Sequence, residues 1–128
     1  MLVLVVTAAV IERGDEVLVT RRPEGAHLEG HWEFPGGKCE AGESLEACMA
    51  RELREELGVD VAVGEQLLAT SHEYPDRCVE LHFLSCTLSG TPVPQLGQEM
   101  QWVRRSDLPA LRFPPADEEL IRLLAHKR

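Results

Sequence analysis

The stretch from Gly37 to Val59, GKCEAGESLEACMARELREELGV, constrains this chain more than any other. It carries six acidic residues in 23 positions, and Glu52, Glu55 and Glu56 stand at i, i+3 and i+4. With about 100° of turn per residue, these carboxylates share one wedge of a helix. Like charges at that spacing repel and weaken an isolated helix. A cation held among them removes the conflict, and clustered carboxylate oxygens suit hard ions such as Mg²⁺ or Mn²⁺. The bland alternative is a solvated acidic face, as most charge runs are.

The pattern predicts a helix from Ser44 to Leu57, ended by Gly58, with Ala50, Leu53 and Leu57 as its apolar stripe. Leu2–Ile11 and Glu16–Arg21 read as strands joined at Arg13-Gly14-Asp15, and Trp32-Glu33-Phe34 as a short strand. Pro35-Gly36-Gly37 should break regular structure, its glycines letting the backbone approach a partner closely. Val61–Tyr74 and Cys78–Leu88 form a second strand pair around Pro75-Asp76-Arg77, and Met100–Arg104 is a further strand. A last helix from Asp117 to His126 follows Pro114-Pro115, with acids in its first turn and bases in its last. Interleaved strands and two helices make a mixed α/β domain.

At 128 residues, one domain spanning 1–128 is expected, of ordinary globular composition (44% hydrophobic, 27% charged). The opening MLVLVVTAAVI is too short to span a bilayer and too β-branched for a signal peptide, so it reads as a buried strand of a cytoplasmic protein. Cys39, Cys48, Cys78 and Cys86 lack zinc-site spacing, which makes reduced, semi-buried thiols the default expectation. A net charge of −9 argues against a nucleic-acid polymer as partner, but not against a small phosphorylated ligand met by a metal and a few arginines. Neither a membrane nor a nucleic-acid partner is expected, and the active form is a monomer or homodimer.

The same stretch fits G-x5-E-x7-R-E-U-x-E-E-x-G-U at nine fixed positions: Gly37, Glu43, Arg51, Glu52, Leu53, Glu55, Glu56, Gly58 and Val59. This resembles the signature of the Nudix hydrolases, with box 37–59. Thr20-Arg21-Arg22, Trp32-Glu33-Phe34-Pro35-Gly36-Gly37-Lys38, Tyr74-Pro75-Asp76-Arg77 and Phe113-Pro114-Pro115-Ala116 are similar in order and spacing to the MutT branch of that family. The resemblance implies an α/β/α sandwich, a mixed sheet between the box helix and the C-terminal helix. It also implies Mg²⁺-dependent hydrolysis of a (deoxy)nucleoside triphosphate to monophosphate and pyrophosphate, with 8-oxo-dGTP as the expected substrate and Mn²⁺ as a possible substitute ion.

Carried over by position, the resemblance makes Glu52, Glu55, Glu56 and the Gly36 carbonyl the metal ligands, with Glu43 and Arg51 pairing to fix the loop against the helix. Arg22 would face the phosphates, Arg77 the sugar and phosphate side, and Gly37 and Lys38 the nucleotide. His27 is a further candidate beside the pocket loop, and Phe34 faces either the base or the core. Trp32 and Trp102 fit core or cleft wall. Water attacking a triphosphate meets a strongly anionic electrophile, so charge neutralisation is the main task, and Glu55 or Glu56 would be the general base.

Two departures bear on this reading. Where the branch often carries a further glutamate this chain has Leu96, with Glu99 nearby as a candidate replacement ligand. Asp117 stands where asparagine follows Pro-Pro-Ala in 8-oxo-dGTP enzymes. Ionised aspartate only accepts hydrogen bonds, which suits the amino group of cytosine, whereas a buried, protonated aspartate could read oxidised guanine. Asp117 could equally cap the last helix. The rival substrate is therefore CTP, dCTP or a 5-modified cytosine nucleotide, and the rival of another class is a non-catalytic base-reading Nudix module.

Overall fold

The computed structural model describes residues 2–127; Met1 and Arg128, the ends of the expected domain, lie outside the described residues. β1 (Leu2–Arg13) turns at Gly14 into β2 (Glu16–Arg21), followed by the short strands β3 (Trp32–Glu33) and β4 (Gly36–Lys38). After helix α1 (Leu45–Leu57), the hairpin β5 (Asp60–Tyr74) and β6 (Arg77–Ser89) leads to β7 (Glu99–Arg104) and then α2 (Glu118–Ala125). β1 and β6 run parallel over ten pairs, from Leu2↔Arg77 to Ile11↔Cys86, while the other ladders are antiparallel. The sheet is therefore mixed.

Alternation along the strands decides which helix each residue meets. Ala8 and Val10 of β1, Val17 and Val19 of β2 and Phe83 of β6 point into one core with Leu120, Ile121 and Leu124 of α2. Ala9, Ile11, Leu18, Leu84 and Cys86 point the opposite way, against Met49, Leu53 and Leu57 of α1. Two apolar layers on opposite faces of one sheet make the α/β/α sandwich. Burying Leu53 and Leu57 fully contributes roughly 1.5–3 kcal/mol each.

Several sequence expectations need correction. On α1 the buried face is Cys48, Met49, Leu53 and Leu57, while Ala50 is only half-buried. Pro35-Gly36-Gly37 does not simply break structure, since Gly36–Lys38 pairs antiparallel with Val6–Ala8 of β1. The final helix begins at Glu118, because Pro115–Asp117 forms a 3₁₀ turn instead. None of the described helices is long and apolar enough to cross a membrane.

Candidate active site

The site is built where β4 passes under α1. A Cβ on Gly36 would collide with the Thr7 carbonyl, and one on Gly37 would overlap the Glu52 carboxylate. Only glycine lets the strand lie this close to both β1 and the helix. At that spacing the Gly36 amide donates to Glu56 Oε2 at 3.0 Å, tying strand to helix. Ser44 starts α1 by accepting from the Ala47 amide at 3.0 Å. Gly58 ends it at φ 61°, its amide donating to the Arg54 carbonyl.

Arg51 is the hub of the helix. Its Nε and Nη2 donate to the two Glu43 oxygens at 2.7 and 2.9 Å, a bidentate pair, and Nη2 also donates to the Lys38 carbonyl at 3.0 Å. Nη1 donates to Glu52 Oε1 at 3.0 Å and to Glu55 Oε2 at 3.3 Å. Hydrogen bonds from Arg51 and from the Glu40 amide hold the Glu43 carboxyl at a pKa of about 2, and the Glu43 bond raises that of Arg51. The three helix carboxylates thus share a wedge without sharing one point. Glu52 and Glu55 lean on Arg51, and Glu56 turns to Gly36.

Beyond Glu56 opens a cleft of about 270 Å³, lined by Arg22, Glu33, Gly36, Glu56, Leu96 and Gln98 among others. Arg22 Nε donates to Glu33 Oε2 at 3.0 Å. Burial raises the Glu56 pKa to about 8, against the Gly36 hydrogen bond that lowers it, with Glu33 and Glu52 adding repulsion. Burial likewise raises Glu52 and Glu33, each moderated by its arginine partner. Asp117 is 7% exposed, and its side chain makes no capping hydrogen bond to α2. Asp117 thus holds the N-cap position of α2 without a capping bond from its side chain. Burial, with repulsion from Glu33 second, pushes its pKa up to about 7.

The remaining sequence candidates divide. His27 is exposed and offers its backbone carbonyl to Arg22 Nη1 at 3.2 Å. Lys38 is exposed on β4 and likewise contributes its carbonyl, to Arg51. Phe34 lies in the core, stacked on Phe113 at 5.3 Å and edge-on to Phe83 at 6.0 Å, which decides against the base-facing alternative. Trp32 is buried, and half-buried Trp102 lies beneath the Arg13 guanidinium at 4.0 Å. Arg77 pairs with Leu2, five residues from the Thr7↔Gly37 pair, so strand rise alone separates its backbone from Gly37 by about 16 Å.

Glu99 does not join the helix carboxylates; it pairs with Arg21 at 3.6 Å across the β2–β7 ladder. Gln98 reaches the site in its place, donating from Nε2 to the Glu56 carbonyl at 3.1 Å, with the Gln95 amide on the same carbonyl at 2.9 Å. Glu33 and Gln98 are the cleft residues that sequence reasoning missed. The signal for Glu33 was present, because an acid between buried Trp32 and Phe34 must face away from the core.

Two of the four cysteines depart from the reduced default. Cys39, just after β4, and Cys48, in the first turns of α1, are joined by a disulfide with a Cα–Cα distance of 5.2 Å. Cys78 and Cys86 are free thiols, the latter raised to about 11 by burial.

Glu52, Glu55 and Glu56 are all-oxygen donors on one wedge of α1 beside β4, turned to different partners, and half-buried Glu56 has a neutral amide, that of Gly36, as its hydrogen-bond donor. A divalent cation would offset that burial cost, so the residues present fit a hard ion.

A profile of the NUDIX domain matches residues 6–123. The chain is 37% identical over 124 residues to the CTP pyrophosphohydrolase of Escherichia coli K12, covering 94% of this chain and 90% of that one. It is 39% identical over 108 residues to the 8-oxo-dGTP diphosphatase of the same strain, covering 84% of each. The solved MutT structure from a study of Aliivibrio salmonicida and Vibrio cholerae superposes with a TM-score of 0.77 at 34% identity, covering 96% of this chain and 97% of that one. With an intact box on a helix, a glycine strand packed beneath it and relatives similar over most of their length, the chain belongs to the Nudix hydrolases and is a MutT-like enzyme of that family.

Proposed function

We propose that this enzyme hydrolyses a (deoxy)nucleoside triphosphate to the monophosphate and pyrophosphate, acting on 8-oxo-dGTP in the cytoplasmic nucleotide pool. The observation that carries the reading is the half-buried Glu56 carboxyl, tied to Gly36 and opening onto the Arg22–Glu33 cleft. Glu52, Glu55, Glu56 and the Gly36 carbonyl would hold Mg²⁺, with Mn²⁺ as substitute. Bound there, the ion would neutralise phosphate charge and acidify a water molecule.

The protein side of the reaction is positioning. Arg22, half free of Glu33, turns a guanidinium toward the phosphates. Arg51 and Glu43 keep the helix at a fixed distance from β4. One of Glu55 and Glu56 would serve as general base, taking the proton from the attacking water, and the other carboxylates as ligands of the cation. Asp117 reads the base. With its pKa near 7 it is partly neutral at physiological pH and can donate to a carbonyl of oxidised guanine.

The second reading is a cytosine nucleotide, favoured by the same residue in its ionised form, which would accept from an exocyclic amino group. Likeness to the E. coli CTP pyrophosphohydrolase supports it too. The test is pyrophosphate release across the four dNTPs, CTP, 5-methyl-dCTP and 8-oxo-dGTP with Mg²⁺. Highest kcat/KM on 8-oxo-dGTP is expected; preference for cytosine nucleotides would replace the first reading by the second. Silence on every triphosphate would overturn both.

A further inference from the structure

The disulfide lies at the joint on which the site depends, and no role in nucleotide hydrolysis accounts for it. Cys39 directly follows β4, whose Gly36 and Gly37 touch Glu56 and Glu52; Cys48 sits one turn before Arg51 on the same helix. The bond closes a segment of nine residues' separation that contains Glu43 and the helix cap Ser44. Cys48 is fully buried, its Sγ 3.4 Å from Thr7 Oγ1 and 3.8 Å from the Gly37 carbonyl oxygen. Cys39 is half-buried, so solvent reaches the pair from the Cys39 side.

We propose that Cys39 and Cys48 are a reversible redox staple that fastens the β4–α1 joint when oxidised. A peroxide is the oxidant class. The Cys39 thiolate attacks one peroxide oxygen, the O–O bond breaks, and a sulfenic acid forms as water leaves after taking up a proton. The Cys48 thiol then attacks the Cys39 sulfur, the S–S bond forms and a second water leaves. Two thiols and one hydrogen peroxide thus give one disulfide and two waters. A reducing dithiol attacks at the accessible Cys39 sulfur, expels Cys48 and restores both thiols, itself becoming the disulfide. Disulfides in a reducing cytoplasm are as a rule of this transient, sensing kind, not permanent.

The same two sulfurs and a Glu43 oxygen lie within 4.8 Å of one another, which raises the rival of a soft-metal site. Both Glu43 oxygens are, however, engaged by Arg51, and one also by the Glu40 amide at 2.9 Å. The carboxylate is committed, and two sulfurs without a third ligand favour the staple.

The test uses the full chain, reduced, desalted, exposed to hydrogen peroxide and then quenched. Thiols titrated in denaturant should fall from four to two, and peptide mapping should recover Cys39 bonded to Cys48. The melting midpoint should rise on the order of 10 °C, as expected for closing a loop of this length, and return to the reduced value with dithiol. Cys39→Ser should lose the shift, while Cys78→Ser keeps it. Four thiols surviving peroxide, pairing through Cys78 or Cys86, an oxidised pair that leaves the midpoint unmoved, or thiols protected only on adding Zn²⁺ would each overturn the proposal. Thiol count and mapping are read on the unaltered chain, so a poorly folding variant does not obscure the answer.

Discussion

Asp117 shows how burial converts a common side chain into a specific one. It sits where an acid would ordinarily cap a helix, yet its side chain makes no capping bond, and burial lifts its pKa from 3.8 to about 7. A carboxyl whose pKa is raised by folding contributes stability that is present below pH 3.8 and lost as pH rises through about 7. Asp117→Asn should therefore stabilise the fold at pH 8 relative to pH 4, by at most about 4 kcal/mol at 1.36 kcal/mol per unit. Denaturant unfolding at the two pH values checks this, and an equal effect at both would contradict the burial argument. The same substitution should shift kcat/KM toward 8-oxo-dGTP over CTP. An unchanged substrate profile would remove Asp117 as base reader. Its position after Pro114-Pro115 was legible in the sequence; its burial was not, because that depends on how the 3₁₀ turn Pro115–Asp117 seats against the rest of the fold, near enough to Glu33 to feel its charge.

At the scale of elements, β4 and α1 form one functional unit. Nine fixed residues of the box announced the helix, its cap and its acidic wedge, and the structure begins that helix one residue after Ser44. What the sequence concealed was the strand. Gly36–Lys38 looked like a break because glycine and proline are poor strand formers, yet close approach to Thr7 and Glu52 demands glycine there. Gly37→Ala should accordingly drive the Glu52 carboxylate out of place and lower kcat at least tenfold, while circular dichroism remains that of a folded chain. Ser44→Ala removes only the cap and should cost about 1 kcal/mol in denaturant unfolding with little change in kcat. A stability loss from Gly37→Ala without any kcat loss would mean that the strand supports the fold and not the site. The places of Glu99 and Arg77 away from the helix carboxylates were not legible for a related reason: strand register and partner choice, set by the β2–β7 and β1–β6 ladders, are invisible to a motif.

For the whole molecule, the mixed α/β class was legible from the interleaved strands and helices and the layering from the family resemblance, whereas the split of Ala8, Val10, Val17 and Val19 into one core and Ala9, Ile11 and Leu18 into the other is a property of the folded strands. The electrostatics follow from that architecture. A net charge of −9 is carried by a chain that also holds Glu56 half-buried between strand and helix. Its pKa rises from 4.5 to about 8, so its share of stability is intact below pH 4.5 and lost as pH rises through about 8. A cation that binds the ionised form must then stabilise the fold more at pH 8 than at pH 5. Added Mg²⁺ should raise the melting midpoint by a few degrees at the higher pH and little at the lower.

The most direct test of the cation site is Mg²⁺ titration of pyrophosphate release from 8-oxo-dGTP, with the unaltered chain and Glu56→Gln side by side. Release should be absent in chelator and saturate with Mg²⁺, and Glu56→Gln should lower kcat by roughly 10²–10⁴. Release that persists in chelator, or a Glu56→Gln chain with full turnover and unaltered Mg²⁺ demand, would contradict the assignment of this helix as the reaction centre.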